Sequence, residues 1–407
     1  MKKIYLLAVL CVTLFLNTSC ESNDSEDTPK ISGSLSVEEG KTQLEDNTIE
    51  LLNKIESFKN DNALNDIIEL AEYLNADSGV KNKSFKNTSL KTISNIANLE
   101  TTVNGLTVFN AKQAVVIIAE TSLIDDFNNE KGIYTWNANT EGFDKTGDSD
   151  DIIYNVAYND GKNAVFSITD FSTTLAGSNN DEELPTLAKA NLKLNGTTVF
   201  SQNYTATFKN GQLIPTTINN TTSIGDFSFV TTYTNSNNKE IGQALSFNLG
   251  NDVIMGYNLA TNGNFNDELD GNIEDIVDNV TYSFHFLNAT LTLQANDAGF
   301  DSDSELSIDQ QLVLLNSNTS AELSINNKSI AKSQFYKDED TYTDYIYNPN
   351  TQNYDETEVT EEVVNARFLF EDGSTNDFDT YFDGSFTSIE DKFDTVFDAY
   401  ESLLGDI

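Results

Sequence analysis

The stretch ANLKLNGTTVFSQNYTATF, residues 190–208, decides what kind of chain this is. Apolar and polar residues alternate on both sides of Asn195-Gly196, a pair that accepts the positive φ angles of a type I′ turn. Such flanks pair as an antiparallel hairpin, and a two-residue turn sets Leu194 opposite Thr197 and Leu192 opposite Val199. The same texture extends outward. From about residue 96 to 385 the chain alternates Thr, Val, Ile, Phe and Tyr, punctuated by Asn104-Gly105, Asp160-Gly161 and Asn210-Gly211. With four prolines in the whole sequence, little interrupts a strand. The run 279–296 exceeds the usual strand of about 5–6 residues. Its apolar phase shifts between Phe286 and Leu287, which predicts a β-bulge in one long strand. ANLETTVNGLTVF (97–109) echoes ANLKLNGTTVF (190–200), as two hairpins meeting the same physical demand would. The polar run GSNNDEELP (177–185) is the best candidate boundary inside the β region.

Helical periodicity brackets the strands. Ser36-Val37-Glu38-Glu39 has the pattern of a capping box. Leu44, Leu51, Ile55 and Phe58 follow at helical spacing, then a break at Asn60-Asp61-Asn62, then Leu64, Ile67, Ile68, Ala71 and Leu74. These predict helices over 36–60 and 62–76. At the other end Ser388 caps a segment, 388–404, that carries Ile389, Phe393, Val396, Phe397, Tyr400, Leu403 and Leu404 on one stripe. The expected fold class is therefore α+β. An N-terminal helical hairpin and a C-terminal helix pack on one main curved sheet, a large antiparallel β-meander of long hairpins, in a single domain over 35–407. By architecture alone this resembles the half-barrel lipoprotein carriers, whose sheet and helices enclose an apolar cavity.

The N-terminus speaks to location. Met1-Lys2-Lys3 precedes an apolar run, Ile4 to Leu16, that ends near Cys20 and the acidic segment Glu21–Asp27. This is the anatomy of a secretory signal, and the run is shorter than the roughly 20 residues a membrane span needs. Ser19-Cys20 resembles the lipobox of bacterial lipoproteins, in which signal peptidase II cuts before a cysteine that then carries the acyl chains. Members usually have Leu at the third position before the cysteine; here Asn17 stands there, with Leu16 one place further away. The acidic run is similar to the export signal of bacteroidete surface lipoproteins. The resemblance covers the first 20–30 residues. It implies a signal peptide at 1–19, palmitate or a related acyl chain on Cys20, and attachment to the outer membrane, at the cell surface or the periplasmic face. Residues 20–34 are too polar to bury and read as a disordered acidic tether.

Composition excludes several functions. The chain carries 65 acids against 23 Lys and Arg, a net charge of −42, and would repel nucleic acid. Cys11 would leave with the signal and Cys20 would be acylated, so thiol nucleophiles, zinc ribbons and disulfides drop out. His285 is the sole histidine, on the Thr281/Ser283 side of a strand whose other side holds Tyr282, Phe284 and Phe286. It reads as a solvated or hydrogen-bonded strand residue, and a hydrolytic triad or a His-rich metal site has little else to use. Phosphate-loop, dinucleotide, HExxH and GxSxG motifs are absent. A pair of carboxylates could still hydrolyse a glycoside, but 65 acids do not single out a pair.

Two constellations suggest binding. Asp301, Asp303, Glu305 and Asp309 in FDSDSELSID have the 1-3-5-9 spacing of oxygen ligands for Ca2+. Leu306 and Leu312 occupy the positions where an EF-hand has glycine and its last acid. NDELDGNIEDIVD places Gly271 suitably but has Val277 where the last acid belongs. In GIYTWN, Tyr134 and Trp136 share one strand face. Exposed, they would form a platform for sugar rings or apolar ligands; buried, they are core. The function expected is a non-catalytic, lipid-anchored surface protein that binds an extracellular glycan or protein, or has a structural part. The alternatives are a carrier or sensor of an apolar ligand held between sheet and helices, and a carboxylate hydrolase.

Overall fold

The computed structural model describes residues 33–76, 122–140, 142–159, 161–177, 182–209, 213–265, 277–296, 306–348 and 353–382, with 389, 392 and 395 in helical conformation. Residues 1–32, Cys20 among them, the 97–109 echo, Asp301, Asp303, Glu305 and nearly all of 388–404 lie outside the described residues. The described chain is an α+β fold dominated by antiparallel strands.

Both N-terminal helices form where their periodicity places them, α1 over Val37–Lys59 and α2 over Asn62–Ala76. Ser36 and Glu39 close the capping box: the Glu39 N–H donates to Ser36 Oγ and the Ser36 N–H to Glu39 Oε2. Asp61 caps α2, its Oδ1 accepting the N–H groups of Ala63 and Leu64 at 2.8 and 3.2 Å. Two more helices interrupt the region expected to be all strand, α3 (Leu123–Glu130) and α4 (Ile308–Asn318). Each has a serine at its N-cap, Ser122 and Ser307, and Ser307 forms a full capping box with Gln310. A last short helix, α5, covers Phe378–Phe382.

The chain divides into two compact units. One comprises Ile49–Ala260, Asn264–Asp270 and residues from Asp391 onward; the other comprises residues up to Thr48, Thr261–Gly263 and Gly271–Glu390.

The first of these units holds β1 (Gly132–Asn137), β2 (Gly142–Gly147), β3 (Ile152–Tyr158), β4 (Lys162–Ala176), β5 (Glu182–Leu194), β6 (Thr197–Phe208), β7 (Pro215–Ile224), β8 (Phe227–Ser236), β9 (Glu240–Leu249) and most of β10 (Asp252–Gly263). Their order is β2-β1-β3-β4-β5-β6-β7-β8-β9-β10. The β1–β3 pair is parallel, because β2 returns along the outer side of β1 and the chain re-enters on its other side. Within GSNNDEELP, Glu182–Pro185 belong to β5, and Glu182 pairs with Ala176, so β4 and β5 are neighbouring antiparallel strands across this stretch.

The β5–β6 turn has both residues at positive φ, Asn195 at 50° and Gly196 at 86°, as a type I′ turn requires. Leu194 faces Thr197 as expected. The expectation of Leu192 opposite Val199 is corrected: Leu192 pairs with Phe200, and an extra residue enters β6 beside the turn. Such a bulge increases local twist and re-aims every side chain beyond it. Here it places Phe200, Gln202 and Tyr204 on the face that the helices cover.

That covering is apolar at its margins. Leu70 of α2 packs with Val156, Tyr158, Leu192 and Val199, and Phe127 of α3 with Ile152, Tyr154 and Ile168. Phe58 of α1 sets its ring edge-on to Phe227 and Phe247, with centroids 4.8 and 5.6 Å away. Lys392 pairs with Glu56 of α1.

Glu183 of β5 seats the start of α3, accepting the Leu123 N–H at 2.7 Å, the Ile124 N–H at 3.3 Å and the Thr173 hydroxyl at 2.6 Å. Burial alone would raise its carboxyl, but those donors outweigh it and hold it below the ordinary carboxylate value. A depressed folded pKa contributes stability that is complete above the unfolded pKa of about 4.3 and is lost as pH falls through the lower folded value. The stability difference between wild type and Glu183→Gln should therefore shrink as pH drops below that value in a denaturant titration series. A difference independent of pH from 7 down to about 3 would contradict this seating.

The other unit continues from the last residues of β10 through β11 (Val277–Phe286), β12 (Ala289–Asn296), β13 (Thr319–Ile325), β14 (Lys328–Asn348), β15 (Asn353–Leu369) and β16 (Thr375–Asp377), in that order. The expected bulge at Phe286-Leu287 is instead a two-residue hairpin turn. Phe286 pairs with Ala289, and Leu287 adopts φ 50°. Leucine rarely sits there, and the turn is held from outside by Asn47 of α1. The Asn47 amide donates to Phe286 O at 2.8 Å and accepts the Asn288 N–H at 3.2 Å. The core joins Leu35 and Leu44 to Ile325, Ile330, Phe368, Phe370 and Tyr381, and Ile389 packs against it. Gly33 and Ser34, counted with the tether from sequence, are fixed: Ser34 bridges Ser329, and Ser329 N–H donates to Gly33 O.

Candidate functional site

Strands β6–β9 break the charge pattern of the chain. β6, β7 and β8 contain no Asp, Glu, Lys or Arg, and β9 has only Glu240 at its start. Their registers align three cross-strand rows on the helix-covered face. One runs Ala190, Gln202, Thr222, Phe229, Phe247; the next Ala188, Tyr204, Asn220, Thr231, Leu245; the third Ala206, Ile218, Tyr233, Gln243. The margins of this face are apolar, yet its middle is a strip of amides, hydroxyls and phenols. The flanking alanines of β5 project one methyl each, so Gln202 and Tyr204 stand above their neighbours.

Burial makes the strip unusual. Gln202 is 5% exposed and Asn220 8%, and among the described residues neither Gln202 Nε2 nor Asn220 Oδ1 has a hydrogen-bond partner. An unmade hydrogen bond at a buried polar atom costs about 1–3 kcal/mol, which is why such atoms are few in native proteins. Gln202 and Asn220 sit on adjacent strands one row apart, a diagonal that spans about 7–8 Å between backbones. One amide thus offers a free donor and the other a free acceptor. Beside them Gln243 Nε2 donates to Tyr257 Oη at 2.9 Å. Burial pushes Tyr233 up to about 12 and raises Tyr204 and Tyr257 too. These phenols keep their protons at neutral pH and work as hydrogen-bonding groups, not as nucleophiles. With no carboxylate in the three rows, the strip holds no acid–base pair.

Tyr134 and Trp136 are half-buried on β1. Tyr134 stacks on Tyr154 with centroids 5.1 Å apart and donates its hydroxyl to Glu130 O at 2.9 Å. Trp136 meets Phe143 edge-on at 5.2 Å and packs with the α2 cluster, its Nε1 buried and without a hydrogen-bond partner. Both rings are engaged in sheet–helix packing. Of the Asp301/Asp303/Glu305/Asp309 set, only Asp309 is described, in the first turn of α4. Among the described residues no group of three or more His, Cys, Asp or Glu is arranged to hold a metal ion. His285 pairs with Thr290 across β11–β12, Nδ1 to Oγ1 at 3.1 Å, and burial lowers its pKa.

No protein-family model, curated protein or solved structure matches this chain. Among the described residues no helix is long and apolar enough to cross a membrane.

Proposed function

We propose that the protein is a non-catalytic binding protein, carried on the outer membrane by an acylated Cys20, whose β6–β9 strip holds a neutral carbohydrate. The observation that supports this reading is the pair of buried, unpartnered amide atoms, Gln202 Nε2 and Asn220 Oδ1, in a strip without charge. A neutral sugar supplies donor and acceptor together, through hydroxyls or an acetamido group. An apolar cargo would leave both amides unmet, and an ionic one would find no counter-charge.

The experiment is calorimetric titration of the intact chain with N-acetylated chito-oligosaccharide, maltooligosaccharide and a long-chain fatty acid. A sugar should bind, and Gln202→Leu should weaken it by about tenfold, the equivalent of one hydrogen bond near 1.4 kcal/mol. Uptake of the fatty acid with no response to either sugar would replace this reading with that of an apolar carrier. The anchor has its own check: palmitate labelling of wild type, absent from Cys20→Ala.

A further inference from the structure

β14 and β15 continue as a two-stranded arm after their neighbours stop. β13 pairs with β14 only as far as Lys332, and β16 with β15 only over Arg367–Leu369. The β14–β15 register runs on without a shift to Asn348 and Asn353. Among the described residues no further strand pairs with either outer edge.

One position shows what the edge offers. The side-chain amide of Asn316 in α4 lies against Phe335, accepting its N–H at 2.9 Å and donating to its carbonyl at 2.9 Å. A single primary amide there imitates an adjoining strand. In a regular antiparallel ladder outward-pointing groups recur at every second residue. Lys337, Glu339, Thr341, Thr343 and Tyr345 therefore repeat the offer made at Phe335. Two of these N–H groups, on Glu339 and Tyr345, are held by the carboxylates of the preceding Asp338 and Asp344, at 2.9 and 2.8 Å.

The arm's side chains specify the occupant. Residues 337–348 and 353–364 contain nine acids and one lysine. Glu339 faces Glu362 and Asp340 faces Glu361, and like charges directly opposite destabilise a ladder; Lys337, with its Nζ 2.6 Å from Glu362 Oε1, offsets only the first of these pairs. Towards the tip Tyr342, Tyr345, Ile346 and Tyr354 are 44–66% exposed. Folding explains neither the repulsion that remains nor the exposed rings. A cationic strand would relieve the first and cover the second, whereas a second copy of this chain would add to the repulsion. We propose that the arm docks an extended, Lys/Arg-rich segment of another protein, which adds as a strand to the free edge of β14 over Lys337–Tyr345. Its cations take the place of the edge N–H groups as partners for Asp338 and Asp344 on one face of the arm, and its apolar residues, on the opposite face, rest on Tyr345.

The test uses the intact chain and a synthetic peptide of alternating lysine and valine. The comparator is the same peptide with alternate backbone nitrogens methylated, which keeps its charge but blocks pairing. Hydrogen exchange should slow at the outward amides of β14 on adding the parent peptide. Thr343→Pro removes one outward N–H and leaves the β14–β15 ladder intact, since proline is tolerated where its nitrogen faces out from an edge. Both this variant and the methylated peptide should weaken binding by about tenfold or more. Equal binding of parent and methylated peptides, with no amide protected, would reduce the arm to a diffuse acidic surface and overturn the proposal. Protection of the same amides without peptide, in a concentration-dependent dimer, would also overturn it by assigning the edge to a second copy.

Discussion

Replacing Tyr381 by alanine should lower the unfolding free energy of its unit by about 3–5 kcal/mol, the cost of deleting a large aromatic from a packed core. Tyr381 lies on α5 with no exposed surface. Its ring meets Phe368 edge-on at 5.0 Å and Phe370 at 5.6 Å. Lys41 Nζ stands 5.0 Å over the ring, and Gly40 lets α1 come close to the same core cluster: a Cβ there would lie 2.8 Å from Ile330 Cγ2. The residue thus joins α1, β15 and α5 in one cluster, so its loss should weaken all three attachments together. Val313→Ala is the control, because Val313 on α4 is 69% exposed and its truncation should cost less than about 0.5 kcal/mol. Equilibrium denaturation of both variants decides the matter. Equal, small shifts would mean that α5 is not docked as the structure has it.

What could be read in the sequence was what local chemistry dictates. The helices α1 and α2 announced themselves because a capping box, an aspartate cap and an apolar stripe all act within a few residues. Asn195-Gly196 announced its turn for the same reason. The Leu287-Asn288 turn did not, since what holds it is Asn47, about 240 residues earlier in the chain. Without that partner a leucine at positive φ looks like a phase slip in one strand. The bulge beside Thr198 escaped because a turn fixes only the nearest pair, and twist sets the rest. α4 could have been read: Ser307-Ile308-Asp309-Gln310 is a capping box, but the acidic spacing around it suggested a cation loop instead. Gln202 and Asn220 were hidden by the alternation itself. Polar residues at every second position normally mark the solvent face, and only the covering helices show that here they point inward. The one signal available was the absence of charge within β6, β7 and β8 in so acidic a chain.

That inward placement carries the second large expectation. Gln202→Leu should stabilise the protein, by about 1–3 kcal/mol, while it weakens carbohydrate binding. Leucine keeps nearly the volume of the side chain and removes a buried amide whose Nε2 has no partner, so the desolvation cost of that group disappears with it. A glutamine kept only for packing would show the reverse, a loss of stability on substitution and no change in binding. Gln202→Glu sharpens the distinction through pH. A carboxyl in this strip is buried between Ala190 and Thr222 of its row, with no cation in the three rows, so its folded pKa must rise above the unfolded value of about 4.3. The folded state then holds a proton that the unfolded state releases, and stability must fall as pH rises through that window. Gln202→Leu should show no such slope relative to wild type. If the leucine variant is less stable than wild type and binds sugar equally well, the amide is structural and the strip is not a ligand site.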